Sequence, residues 1–368
     1  MSLKMKAFVV ASAALATCVA LLGTGCSVSE DGKPTDVVMA TSTNIRSLSA
    51  TGSTAVEPLI DRWTKDYAQN HPVSLNYRGT GSGAGIDNLR RGFGAFSASD
   101  APLADSQLQG LPPIVQVPIS TGPICIVYNL PGLKAPLRLS GKTLAGIYAS
   151  DIISWQDPAI AAENPGVALP HAAIVVVHRS DGSGTTSILT NFLSKVSPTW
   201  TSKFGQGLTV KWPAGIAVNG SHAELTTVMD TPGTIGYIEL TFARTSGVPV
   251  ALIQNRAGQY IAPTPASAYA AVDAAKELLA KDIRTPIVDP PATAKDAYPI
   301  TGITFVLIPK DNKSGDGEQQ AVKDYLAYAV SSGQNIVEEL SYAKLPTPVQ
   351  QQSQALLSQL TENGQALK

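Results

Sequence analysis

Apolar positions in this chain change their spacing along its length, and the changes mark an alternation of helices and strands. Val56, Leu59, Ile60, Trp63 and Tyr67 recur at helical intervals behind Thr54, a good N-cap, so a helix is predicted from about Ala55. Val73-Ser74-Leu75-Asn76-Tyr77 alternates as a strand does. The turn Gly79-Thr80-Gly81-Ser82-Gly83 follows, and Ala84 to Arg91 continues as a helix with Ser82 near its start. Phe96-Ser97-Ala98-Ser99-Asp100 reads as a short strand that ends in a carboxylate.

Ile114 to Asn129 gives strands rich in Ile and Val, and Ile174-Val175-Val176-Val177-His178 is an apolar, β-branched run suited to a buried strand. A glycine-softened turn, Arg179-Ser180-Asp181-Gly182-Ser183-Gly184-Thr185, leads from it into a helix over Ser187 to Val196. Pro232 to Ile238 makes another turn and strand, Ala268 to Ala280 is alanine-rich and helical, and Ile303 to Ile308 is an apolar strand. The last fifty residues are mostly helical. Strands alternating with helices place the chain in the α/β class.

At 368 residues the chain exceeds the size at which one core keeps growing, so two lobes are expected. Its 31 Gly and 26 Pro imply many turns, and 44% hydrophobic residues supply a large core. The formal net charge of −1 leaves no basic field for nucleic acid, so any anion must be bound locally, by geometry. Lys4 and Lys6, the uncharged stretch Ala7 to Leu22, and Gly23-Thr24-Gly25-Cys26 read as an export signal, with too few apolar residues to span a bilayer. The small residues before Cys26 resemble a bacterial lipoprotein signal, in which that cysteine is lipidated. Removing residues 1–25 would leave only Cys26 and Cys125, hence no disulfide, and would take the formal charge to −3. Residues 26–47 are polar and aperiodic, as a tether would be, and the fold is expected to begin near Leu48.

Three stretches share one design: Gly52-Ser53-Thr54, Gly81-Ser82-Gly83 and Gly182-Ser183-Gly184-Thr185 each set small hydroxyl residues at a helix start. Singly, each is a helix cap; together they form an anion socket of amides and hydroxyls. Arg179 stands at a strand end, where ligands of open α/β sheets lie, and Asp181 is placed to hold its guanidinium fork. Asp100 stands at a similar end. A carboxylate repels an anion unless that anion carries a proton to donate, so Asp100 would favour phosphate, which is protonated at neutral pH, over sulfate.

Enzymatic readings are weaker. His178, Asp181 and Ser183 offer a nominal hydrolase triad, but no Gly-x-Ser-x-Gly elbow is present. Gly79-x-Gly81-x-x-Ala84 fits a loose dinucleotide fingerprint with Asp100 about twenty residues on, yet it leaves the other two hydroxyl turns unexplained. The histidines at 71, 171, 178 and 222 show no zinc spacing, and Cys125 in an apolar strand reads as packing. No metal or other cofactor is expected.

These residues also match a known pattern. From about Leu48 to Pro346 the chain resembles the phosphate-binding protein of bacterial ABC-type phosphate importers, in its lipid-anchored, actinobacterial style. The resemblance rests on Thr-Gly-Ser-Thr (51–54), Gly-Thr-Gly-Ser-Gly-Ala-Gly (79–85), Ala-Ser-Asp-Ala-Pro-Leu (98–103) and Gly-Lys-Thr-Leu-Ala-Gly-Ile-Tyr (141–148). It extends through His-Arg-Ser-Asp-Gly-Ser-Gly-Thr (178–185), Pro-Gly-Thr-Ile-Gly-Tyr (232–237) and Tyr-Pro-Ile-Thr (298–301).

The resemblance implies a two-lobed periplasmic-binding-protein fold of type II-like form, each lobe a mixed sheet flanked by helices. Residues 48–120 and 300–368 would form lobe I and 121–299 lobe II, joined by crossing strands near 120 and 300. Thr54 and the amide of Ala55, with Ser82 and Asp100, would grip inorganic phosphate from one side. Arg179, Ser183, Gly184 and Thr185 would close from the other, with Asp181 steadying Arg179. The family usually carries a bulky aromatic where Ala55 stands. The implied function is a monomeric, non-enzymatic receptor, held on the outer face of the cell membrane through Cys26. It would deliver phosphate to the permease and ATPase subunits of the importer. The alternatives are a receptor for sulfate or molybdate and an exported phosphate-ester hydrolase.

Overall fold

In the computed structural model, residues 46–368 are described; the expected export signal, Cys26 and the tether up to residue 45 lie outside the described residues. The fold starts at Arg46, two residues before Leu48. Strand β1 (Arg46–Gly52) runs parallel to β2 (Val73–Gly79), with Arg46 opposite Val73. Arg46 and Ser47 are polar and give no apolar signal, but backbone pairing requires none.

Helix α1 (Glu57–Ala68) begins two residues later than the apolar spacing predicts, and Thr54 does not cap it. The reason is local: Thr54 and Ser53 direct their hydroxyls to Ser221 and Asp100, and Pro58 starts the helix instead. Helix α2 (Ser82–Arg90) and β3 (Phe96–Ser99) follow as expected, leaving Asp100 at the strand end. Next come β4 (Ile114–Tyr128), β5 (Val175–Arg179), α3 (Gly184–Val196), β6 (Ile216–Val218), α4 (Gly220–Asp230) and β7 (Thr234–Glu239). The alanine-rich stretch is two helices, α5 (Pro265–Ala274) and α6 (Lys276–Lys281), broken at Ala275. Strand β8 (Thr301–Pro309) and helices α7 (Glu318–Ala329) and α8 (Thr347–Leu357) complete the larger elements.

One eight-stranded sheet runs in the order β2-β1-β3-β8-β4-β7-β5-β6. Its two halves are joined at the middle. The 15-residue β4 pairs with β8 from Ile114 to Pro123 and then with β7 from Ile124 to Tyr128, so a single strand serves both halves. Two prolines interrupt it where proline is tolerated, at irregularities. Pro118 adjoins the register shift opposite Thr304 and Phe305, and Pro123 stands where β4 leaves β8 for β7.

Side-chain alternation sends β8 residues to two separate cores in the first half: Val306 and Ile308 pack with Leu48, Trp63 and Phe96, while Ile303, Phe305 and Leu307 pack with Ile86, Leu279 and Val349. The second half repeats this, with Ile124, Ile126 and Tyr237 on one face and Cys125, Val127 and Ile238 on the other. Cys125 is buried and free. The segment carrying Val272, Ala275, Leu279, Ile283 and Ile287, which the sequence reading places with the second lobe, packs into a first-half core beside α2 and α8.

Trp63, Trp155 and Trp200 are fully buried, and each indole N–H donates to a glycine carbonyl, of Gly333, Gly233 and Gly205. Such a side chain removes roughly 150–250 Å² from water, about 4–6 kcal/mol of gross transfer energy. Core burial of this kind supplies the stability that a disulfide would otherwise add.

Between β5 and β7 the ladder is short, with only Val175 and Val176 paired to Thr234 and Ile235. Where the strands part, Glu224 of α4 enters, and its Oε1 accepts the Tyr237 amide at 3.0 Å while Oε2 has no partner. Burial pushes this carboxyl up to about 8, against the pull of nearby Arg179. The folded chain thus holds a proton that the unfolded chain releases near its ordinary ~4.3, and stability falls as pH rises between those values. Glu224→Gln removes this loss. The melting temperature of the variant should therefore rise relative to wild type as pH goes from 5 to 8, and a pH-independent difference would contradict the buried proton.

Candidate anion-binding site

The first half of the site grows from the ends of β1, β2 and β3. Gly52 has φ +139°, and a Cβ there would collide with the Ala98 carbonyl, so only glycine lets β1 turn sharply over β3. The chain then delivers Ser53, whose Oγ donates to Asp100 Oδ2 at 2.6 Å and accepts the Ala55 amide at 3.1 Å. Thr304 Oγ1 donates to Asp100 Oδ1 at 2.7 Å from the bulged point of β8. Ser82, first residue of α2, accepts the Asp100 amide at 3.3 Å.

Asp100 is only 5% exposed. Burial raises its carboxyl above the ordinary carboxylate range, while Ser53, Thr304 and Arg179 work the other way. The two hydroxyl donors occupy one lone pair on each oxygen, and a carboxylate has about four acceptor sites. Capacity remains for a protonated ligand oxygen.

The second half grows from the end of β5 and the start of α3. Arg179 is 4% exposed, and its Nε and Nη2 fork onto Asp181 Oδ1 and Oδ2 at 2.7 and 2.5 Å. Burial opposes both charges, yet the pairing outweighs it: Arg179 is held above its ordinary value and Asp181 below. Gly220 N also donates to Asp181 Oδ1. Ser183 caps α3 through the Thr186 amide at 3.2 Å and shares a 2.7 Å bond with Thr185 Oγ1. Tyr237 OH receives the Arg179 amide and bonds Thr186 Oγ1, fixing the strand end to the helix start.

The halves meet backbone to backbone. Gly83 N donates to Gly182 O at 2.8 Å, and a Cβ on Gly182 would stand 2.9 Å from Gly83 Cα. A Cβ on Gly81 would stand 2.5 Å from Asp181 Oδ2, and one on Gly184 would collide with Asp100 Oδ2 and lie 2.6 Å from Ser82 Oγ. Thr54 Oγ1 and Ser221 Oγ lie 2.8 Å apart across the junction. Thr54, Ala55, Ser82, Asp100, Arg179, Asp181, Ser183, Gly184 and Thr185 thus fall in one cluster, all buried except the half-buried Asp181.

Sequence reading passed over Ser53 as a partner of Asp100, and it passed over Ser221 and Thr304. Asn219-Gly220-Ser221 at the start of α4 is a fourth glycine–hydroxyl turn before a helix, which is the signal that would have found Ser221. Thr304 gives none, being one polar residue in an apolar strand.

The triad geometry is not formed: His178 Nδ1 faces the Arg179 carbonyl, its ring stacks on Trp212, and Asp181 is engaged by Arg179. The dinucleotide reading fails too, because the Gly83 amide that a pyrophosphate would need is taken by Gly182. Among the described residues no helix is long and apolar enough to cross a membrane.

Residues 37–332 match the family model of the PBP superfamily domain. The chain is 36% identical over 351 residues to the phosphate-binding protein PstS of Xylella fastidiosa (strain Temecula1), covering 93% of this chain and 95% of that one. It is 32% identical to phosphate-binding protein PstS 3 of Mycobacterium leprae, covering 87% and 85%. Among solved structures it resembles a high-affinity periplasmic phosphate-binding protein bound with phosphate, at TM-score 0.66 and 21% identity over 85% of this chain and 93% of that one. That last likeness is one of fold, and it agrees with the two-lobed α/β architecture expected from the sequence. By sequence and by fold, the chain belongs to the PstS family of phosphate-binding proteins within the PBP superfamily.

Proposed function

We propose that this protein is the extracytoplasmic receptor of an ABC-type phosphate importer, binding inorganic phosphate between its two halves and handing it to the permease. The observation that carries the reading is Asp100: a buried acceptor, still able to take a hydrogen bond, set among donors from three helix starts and one arginine. Among such donors any oxyanion gains; beside a carboxylate only one with a proton avoids repulsion. Relatives named phosphate-binding protein PstS support the same ligand.

In this reading Thr54, the Ala55 amide, Ser82 and Asp100 hold the anion from lobe I. Arg179, Ser183, Gly184 and Thr185 hold it from lobe II, and Asp181 keeps Arg179 aimed. The lobes pivot where β4 and β8 cross, near residues 120 and 300, in the manner of hinge closure around a ligand. The protein acts as a monomer and carries out no reaction on phosphate. It is tethered by a lipid on Cys26 after removal of residues 1–25.

Three measurements test these statements. Calorimetry with phosphate and sulfate side by side should show binding of phosphate and, at best, far weaker binding of sulfate. Equal affinities would remove the role given to Asp100, and no phosphate binding would overturn the function. Arg179→Ala loses two charge-assisted hydrogen bonds to the anion and should weaken phosphate binding by at least about a hundredfold, with the circular dichroism spectrum unchanged. Wild-type affinity in that variant would make the arginine structural. Mass spectrometry of the protein from its native membrane should find a mature chain that starts at a diacylated Cys26, and an intact Met1 would exclude the anchor.

A further inference from the structure

Ser221 is 1% exposed and stands at the start of α4, outside the residues assigned above to the anion. Its Oγ touches a proposed ligand-binding group from each half, Arg179 Nη1 at 3.2 Å and Thr54 Oγ1 at 2.8 Å. Those two groups approach from opposite sides of the cleft. The adjacent Gly220 amide is bonded to Asp181 Oδ1, so the turn that carries Ser221 is pinned to the Arg179–Asp181 fork.

Donor counting fixes the first of these bonds, and the anion fixes the second. Guanidinium is donor only, so Ser221 Oγ accepts from Arg179, while a hydroxyl has one proton to give and two lone pairs. Between Thr54 and Ser221 either oxygen can be the donor, and an oxyanion against Thr54 supplies the acceptor that decides it. With an oxyanion accepting from Thr54, every hydroxyl proton is used only if Ser221 donates to Thr54 Oγ1. Thr54 then accepts, and its own proton stays available for an incoming oxygen.

We infer that Ser221 is a positioning residue for phosphate capture: it takes a hydrogen bond from Arg179, gives one to Thr54, and so turns the Thr54 hydroxyl into a donor toward the anion when the halves close. Chained donors of this kind polarise one another, Arg179 drawing on Ser221 and Ser221 on Thr54. Without Ser221 the Thr54 hydroxyl is free to rotate away, and the closed form loses a tie between halves. The inference rests on the phosphate-receptor reading and adds to it a residue that need not touch the ligand.

The test is a double-mutant cycle on phosphate affinity with Ser221→Ala, Thr54→Val and the pair together, with melting temperatures read alongside. Ser221→Ala should weaken phosphate binding by about tenfold to a hundredfold, chiefly through faster dissociation. In the Thr54→Val background, where no hydroxyl is left to orient, the same change should cost much less. Strict additivity, or an unchanged affinity in Ser221→Ala, overturns the inference while leaving wild-type phosphate binding, and hence the receptor reading, intact. Should the alanine variant not fold, Ser221→Cys fills the space with a weak donor and must reproduce the loss; full affinity in it overturns the inference equally. A wild-type chain that binds no phosphate would instead overturn the receptor reading itself.

Discussion

The contact between Gly83 and Gly182 sets the terms for everything around it. Two backbones meet with a direct N–H to carbonyl bond at 2.8 Å and no side chain between them, and only that proximity lets hydroxyls on one half reach partners on the other. A methyl group on either residue would hold the halves apart, since the Cβ of one would stand 2.9 Å from the Cα of the other. Gly81 against Asp181 and Gly184 against Asp100 repeat the constraint. The glycines therefore serve close approach more than flexibility, and the helix starts they introduce bring their amides to the same place.

Charge is arranged with similar restraint. Arg179 and Asp181 neutralise each other while leaving Arg179 Nη1 directed to Ser221, and burial strengthens the dependence of each on the other. Around them lie three further acids: Asp100, Glu224 and Glu239, whose two oxygens have no hydrogen-bond partner. Burial, with Asp100 nearby, raises the Glu239 carboxyl well above the ordinary range. With the Glu224 carboxyl pushed up to about 8 by burial, one of these acids opposes an anion less than its formal charge suggests.

Much of this was legible in the chain before any coordinates. Alternation located β2, short apolar or β-branched runs located β3, β5 and β8, and the glycine–hydroxyl turns identified both sides of the site, since all are local patterns. What could not be read was non-local. The link from Thr304 to Asp100 depends on a register shift between strands nearly two hundred residues apart. The start of α1 moved because Ser53 and Thr54 have tertiary partners that outcompete capping. The packing of α5 and α6 beneath the first half depends on surfaces that spacing alone does not pair.

The passage of β4 through both halves has a mechanical consequence. Its two prolines remove backbone donors at the register shift and at the hand-over from β8 to β7, so the ladder is interrupted at both places. On either side lie cores closed by fully buried tryptophans. Two regular cores thus flank one irregular crossing strand, and a bend of the sheet that spares both cores has to fall there.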